Sequence, residues 1–213
     1  EKVFSTRFAG VQRQPVTYDV SLPCVSSKEV RTVREDMDIA QGKLVMGFRT
    51  GETTSPDAVN AMKMMVALYG GTPFSRLFQN VREKLSLCYY CAARYDKASG
   101  MMMVDSGVET GNEQKARDEI LRQLELVKQG AFDDGELNST ILTISNALKS
   151  TVDTLSGLEN WYLTQILSGT DESPLENAQK VSQITKDEIR AAASQITLDT
   201  VFFFAAKKEG QDQ

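Results

Sequence analysis

Residues 68–89 read LYGGTPFSRLFQNVREKLSLCY, and the fold turns on where this stretch passes from helix to strand. Upstream, Ser55 can cap a helix that Pro56 starts, and Val59, Met62, Met65, Val66 and Tyr69 keep helical spacing until Gly70-Gly71 stops it. Thr72 and Pro73 then predict a second helix start, with Phe74, Leu77, Phe78, Val81 and Leu85 on one face at steps of three and four. From Leu85 to Tyr95 the pattern predicts a strand. Its hairpin partner is expected at 101–108, across Asp96, Lys97, Ala98, Ser99 and Gly100.

Working outward, Lys43 to Phe48 forms a continuous apolar run between Gly42 and the Thr50-Gly51 turn, which predicts a buried strand. Val16, Tyr18, Val20 and Leu22 alternate with Thr17, Asp19 and Ser21, so residues 1–30 read as a polar lead-in or linker ending in one short added strand. The second half is helical. Ala116, Ile120, Leu124 and Val127 form one stripe, and Leu137, Ile141, Ile144, Leu148, Val152 and Leu155 predict a long second one. Leu158, Trp161, Tyr162, Ile166 and Leu167 continue as a third, and Thr185-Lys186-Asp187-Glu188 is a capping box opening the last helix. A terminal strand at 200–206 closes the chain. This order predicts an α+β fold, a mainly antiparallel sheet with helices packed on one face, and a single domain over 1–213 with its core at 30–206.

Composition narrows the chemistry. Lys plus Arg is 24 against 29 for Asp plus Glu, a net charge of −5 that leaves no basic surplus for a phosphate backbone, so nucleic acid is not an expected partner. The chain has no histidine. That removes any Ser-His-Asp triad, any Cys-His dyad and any His-containing zinc helix from this chain. Three cysteines, Cys24, Cys88 and Cys91, are too few for a disulfide framework and fit a reducing compartment. No apolar run of a membrane span's length and no signal peptide are read, so the expectation is a cytoplasmic protein with no membrane partner. The chain opens at Glu1 without a Met, which suggests a cut fragment or a processed product.

Cys88-Tyr89-Tyr90-Cys91 has C-x-x-C spacing, but inside a regular strand side chains three apart point to opposite faces. The expectation is therefore that these two are packing residues. Gly42-Lys43 and Gly70-Gly71 lack the continuation of a phosphate loop. Glu109, Glu113, Asp118, Glu119, Asp133, Asp134 and Glu136 are expected in caps, turns or solvated surface, and Met62, Met64, Met65, Met101, Met102 and Met103 as core filler.

The stretch 68–89 also resembles the second, non-zinc-binding domain of the insulinase/pitrilysin (M16) metallopeptidases, the inverzincin family that includes the mitochondrial processing peptidase. The resemblance is carried by Gly70-Gly71, Ser75-Arg76-Leu77-Phe78, Val81-Arg82-Glu83-Lys84 and Leu87-Cys88-Tyr89, in that order. Looser matches at 41–48, at Gly130-Ala131-Phe132 with Glu136-Leu137, and at 184–189 extend it over about residues 30–206.

The resemblance implies a LuxS/MPP-like metallohydrolase domain, one of several that form two halves around a peptide. It also implies that Arg82 and Tyr89 reach toward a zinc held by the other half, donating hydrogen bonds to the carbonyl that gains charge as water attacks. No cofactor is then expected in this chain, the zinc being expected in a partner domain or subunit. The expected partners are a peptide substrate and an M16 zinc-binding domain or subunit, as a homo- or heterodimer. Departures at Thr72-Pro73 and at Leu85, Ser86, Leu87 and Cys88 fit a bacterial non-catalytic member. The second hypothesis is a structural or assembly domain of an inactive M16-like subunit on the same fold.

Overall fold

The computed structural model describes residues 2–12, 14, 29–51 and 55–206. Among them, five strands form one sheet: β1 (Arg31–Met37), β2 (Gly42–Arg49), β3 (Cys88–Asp96), β4 (Met101–Val108) and β5 (Thr197–Ala206), in the order β1-β5-β2-β4-β3. Every pairing is antiparallel except β1 with β5. The expected α+β class with a mainly antiparallel sheet is what the chain adopts.

Alternation decides which face is covered. Leu44, Met46 and Phe48 of β2, Met102 and Val104 of β4, and Val201, Phe203 and Ala205 of β5 point to one face and are buried there. Against them lie α2 (Pro56–Val66), α3 (Glu113–Lys128), α6 (Pro174–Val181) and α7 (Lys186–Ser194). These helices bring Met62, Met65, Ile120, Leu124, Val127, Val181 and Ile189 into the same core. Full burial of one such side chain is worth about 1.5–3 kcal/mol, so the 3.6-residue and two-residue patterns converge on a single face. Tyr69, fully buried, ties the layers: its hydroxyl donates to the Ile120 carbonyl at 2.7 Å.

Several elements depart from expectation. The strand expected around Val16 to Leu22 lies outside the described residues, whereas Lys2–Phe8 forms a short exposed helix, α1. β1 follows at the sheet edge; its sequence RTVREDM has no apolar alternation because both faces are exposed, and it is held through backbone pairing to β5. The long stripe expected to run to Leu155 breaks. α4 (Asp134–Ser150) ends, and Thr154 caps a new helix, α5 (Leu155–Leu167), by accepting from the Gly157 N–H at 3.1 Å, leaving Leu155 88% exposed. α6 was not foreseen, although Ser173-Pro174-Leu175-Glu176 is a capping box with proline at the start of the helix.

The methionines divide. Met62, Met64, Met65 and Met102 fill the core as expected, but Met103 is exposed and Met101 half-buried on the outward face of the sheet. On that face Met103 stands opposite Gly47, with Thr200 one strand further on and Val45 and Phe202 in the next row.

Candidate functional site

The stretch 68–89 departs from a regular helix twice. After α2 the chain continues as a π-helical turn, Ala67–Gly71, and a second π-helical segment spans Phe78–Lys84. The second helix begins later than Thr72-Pro73 predicts. Pro73 and Phe74 sit in a turn closed by the Ser75 N–H on the Thr72 carbonyl at 3.1 Å, which leaves Phe74 exposed rather than on the buried face. Gly70 is where helix and sheet touch: a Cβ there would lie 2.7 Å from the Ala93 Cβ and 2.8 Å from Leu77 Cδ1. Only glycine lets β3 come this close to the helix.

The π-helical segment closes with the Leu85 N–H donating to Asn80 O at 3.2 Å and the Leu87 N–H to Val81 O at 3.0 Å. Ser86 then takes a left-handed conformation, φ 48, and turns the chain into β3. The strand therefore starts at Cys88 rather than at Leu85, which is exposed. Wider π-helical turns are frequent at functional positions, and Arg82 is on this one. Its guanidinium lies 4.6 Å from the centre of the Phe78 ring and its Nε 3.5 Å from Glu83 Oε1, with the side chain 40% exposed.

Tyr89 sits across the turn and is 73% exposed. Cys88 pairs with Val108 and Tyr90 with Gly107, so Tyr89 is the extra residue of a β-bulge. Gly107 permits this. A Cβ at Gly107 would lie 2.7 Å from the Tyr90 ring, so the missing side chain makes room for the displaced strand.

The bulge also overturns the expected placement of the cysteines. Cys91 is buried in the core and Cys88 packs against the same core, so the inserted residue has returned both to one face. Beside them the Ser106 hydroxyl donates to the Tyr90 carbonyl at 2.8 Å. The neighbouring Cys91 thiol, with help from Ser106 and the Arg82 charge, outweighs burial and lowers the Cys88 thiol to about 7. The Cys88 thiol, together with burial, pushes the Cys91 thiol up. Arg82 and Tyr89 thus belong to one junction, with Cys88 between them.

The family model for the peptidase M16 inactive domain matches residues 1–143. The chain belongs to the M16 peptidase family. It is 36% identical over 174 residues to the "probable inactive metalloprotease YmfF" of Bacillus subtilis (strain 168), a match covering 81% of this chain and 41% of that protein. A crystal structure of a conserved protein from Enterococcus faecalis V583 superposes with a TM-score of 0.80 at 26% identity, over 87% of this chain and 44% of that one. A crystal structure of a peptidase M16 inactive domain from Pseudomonas fluorescens shares the fold at 13% identity, with a TM-score of 0.79, over 97% of this chain and 50% of that one. The chain therefore spans less than half the length of the curated relative it matches.

As an M16 inactive domain the chain has its own structural signature. Arg76, within the S-R-L-F motif, is buried and joins three helical segments. Its Nε donates to Gln123 Oε1 at 3.0 Å and its Nη1 to Glu136 Oε1 at 2.8 Å. Gln123 Nε2 in turn donates to Glu119 at 2.7 Å, and Glu136 also accepts from the Asp133 N–H at 3.0 Å in the capping box of α4. Glu119, expected on solvated surface, is instead buried. Burial pushes its carboxyl up, but hydrogen bonds from Arg122 and Gln123 prevail and hold it below the usual range. The S-R-L-F motif names Arg76 but carries no sign of its burial or of these partners, so the network is not legible in the sequence.

Among the described residues no group of three His, Cys, Asp or Glu side chains is arranged to hold a metal ion, and with no histidine the chain lacks the family's zinc-helix donors. Among those residues, too, no helix is long and apolar enough to cross a membrane.

Proposed function

We propose that this chain is the non-catalytic, peptide-binding half of an M16-type zinc metallopeptidase, acting as one domain across 1–213. Arg82 and Tyr89 would donate hydrogen bonds to a peptide carbonyl at a zinc held by another domain or subunit. The observation that carries this reading is the bulge that turns Tyr89 out of the sheet beside the π-helical turn bearing Arg82. An exposed phenol and a permanently charged guanidinium are suited to a carbonyl oxygen that gains negative charge. Among the described residues β3 is also an edge strand, a place suited to an extended peptide added alongside the sheet. The free thiols Cys88 and Cys91 fit the cytoplasm as the compartment.

The test is the affinity of a fluorescein-labelled extended peptide for the full-length protein with its zinc-bearing M16 partner, by fluorescence anisotropy. Arg82→Ala should weaken binding about tenfold or more, the loss of one hydrogen bond from a charged donor being worth about 1.5–3 kcal/mol, and Tyr89→Phe should weaken it less. Wild-type affinity in both variants would leave a purely structural role for the junction.

A further inference from the structure

We propose that a cleft at the far end of β3 binds a small phosphomonoester, with its phosphate held between Lys63 and Lys97 and its organic part against Trp161. The cleft has a volume of about 330 Å3 and is lined by Lys63 of α2, Lys97 of the β3–β4 turn, and Trp161 and Gln165 of α5, among others. It is separate from the Arg82 and Tyr89 junction, since Lys97 follows the last residue of β3 and Tyr89 stands next to the first. Small-molecule sites run from roughly 300 to 1,000 Å3, so this one suits a single compact ligand.

The walls supply donors that no carboxylate answers. Lys63 is half-buried, its sequence neighbours Met62 and Met64 lie fully in the core, and among the described residues it has neither an ion pair nor a hydrogen bond. An ammonium drawn from water without an anionic partner pays for desolvation with nothing in return. Lys97 Nζ donates to Ser168 Oγ at 2.6 Å at the end of α5, which uses one of its three donors. Glu172, the carboxylate whose charge reaches Lys63, is itself engaged by Lys180 at 3.0 Å and by Asn177 Nδ2 at 2.6 Å. Gln165 is buried, and its Oε1 accepts from the Thr170 hydroxyl and the Glu172 N–H, so the Nε2 end of the amide is the one left for a ligand. Two ammonium groups and an amide NH2 suit an oxyanion.

A phosphate fits them better than a carboxylate. Each ammonium is a compact point charge, and a tetrahedral dianion offers one oxygen to each wall while matching both charges. Burial, and then the Lys97 charge, hold the Lys63 ammonium below its ordinary value against an opposing pull from Glu172, and burial lowers Lys97 as well. A dianion between the two relieves that repulsion. Trp161 Nε1 donates to the Glu172 carbonyl at 2.6 Å, so what it can offer a ligand is the apolar ring. Inorganic phosphate would leave that ring and much of the volume unused, whereas a flat organic group on the phosphate fills both.

The experiment uses the full chain, whose single tryptophan is Trp161. Its emission is followed as phenyl phosphate, inorganic phosphate or benzoate is added at constant ionic strength. Phenyl phosphate should give a saturable change, inorganic phosphate should compete with it, and benzoate should bind about tenfold more weakly or worse. Lys63→Gln and Lys97→Gln should each weaken phenyl phosphate about tenfold or more, the scale of one charge-assisted hydrogen bond, and Lys63→Arg should bind more tightly than Lys63→Gln. The two lysines lie on different elements, so a variant that fails to fold leaves the other to decide. Three results would overturn the proposal: a change that sodium chloride reproduces, wild-type affinity in both glutamine variants, or benzoate binding as tightly as phenyl phosphate.

Discussion

Replacing Arg76 by Ala removes a side chain that links the turn before the π-helical segment to both α3 and α4. The lost hydrogen bond to Gln123, made by a charged donor in a buried setting, is worth about 1.5–3 kcal/mol. The pair with Glu136 adds less, up to about 1 kcal/mol, because that carboxylate is 32% exposed and keeps its capping bond to the Asp133 N–H. Together these give a destabilisation of about 3 kcal/mol, and for a chain of this size a fall in Tm of about 6–12 °C. Urea unfolding followed by the fluorescence of Trp161 measures it, with calorimetry supplying the Tm. Arg76→Lys should fall between, since an ammonium cannot hold both partners in the fork geometry of a guanidinium. Coupling to Gln123→Ala in a double-mutant cycle should be at least about 1 kcal/mol. A loss below about 0.5 kcal/mol for Arg76→Ala, the range of an ordinary surface change, would refute the reasoning that the buried guanidinium joins the helices.

Two further outcomes follow from local geometry. Gly70→Ala should cost about 1–3 kcal/mol by overpacking, since the added Cβ would meet both the Ala93 Cβ and its backbone N at under 3 Å; urea unfolding reads this, and a stability equal to wild type would mean that the helix and β3 are not in contact there. Cys88 should be alkylated by iodoacetamide with a rate that rises as pH passes through about 7, against an ordinary value of 9.0. Folding lowers this thiol, so its contribution to stability is present above the ordinary value and is lost as pH falls through about 7. Arg82→Ala should move the alkylation midpoint upward, and an unmoved midpoint would place the guanidinium away from the thiol.

Much of the core was legible because pattern and burial share a cause. Leu44, Met46 and Phe48, or Ile120, Leu124 and Val127, are spaced by the periods that bury them. β1 escaped the same reading, as an edge strand exposed on both faces carries no apolar alternation. α6 carries its signal only in the capping box from Ser173 to Glu176, its eight residues being too short for a long apolar stripe. Arg82 and Tyr89 could be named only through the family motif, since neither burial nor period sets them apart. What the motif did not convey is the bulge, and a strict two-residue count inverted the placement of Cys88 against Cys91. Gly107, a glycine inside a predicted strand, was the available hint, because its missing Cβ is what admits the Tyr90 ring.

The claim that an extended peptide lies along the β3 edge beside Arg82 and Tyr89 is tested most directly by photo-crosslinking. A peptide carrying a benzophenone side chain is bound to the full-length protein with its zinc-bearing M16 partner, irradiated, digested and mapped. The account predicts crosslinks concentrated in residues 85–94, reduced in Arg82→Ala. Crosslinks confined to the helical layer, with none in residues 85–94, would contradict it.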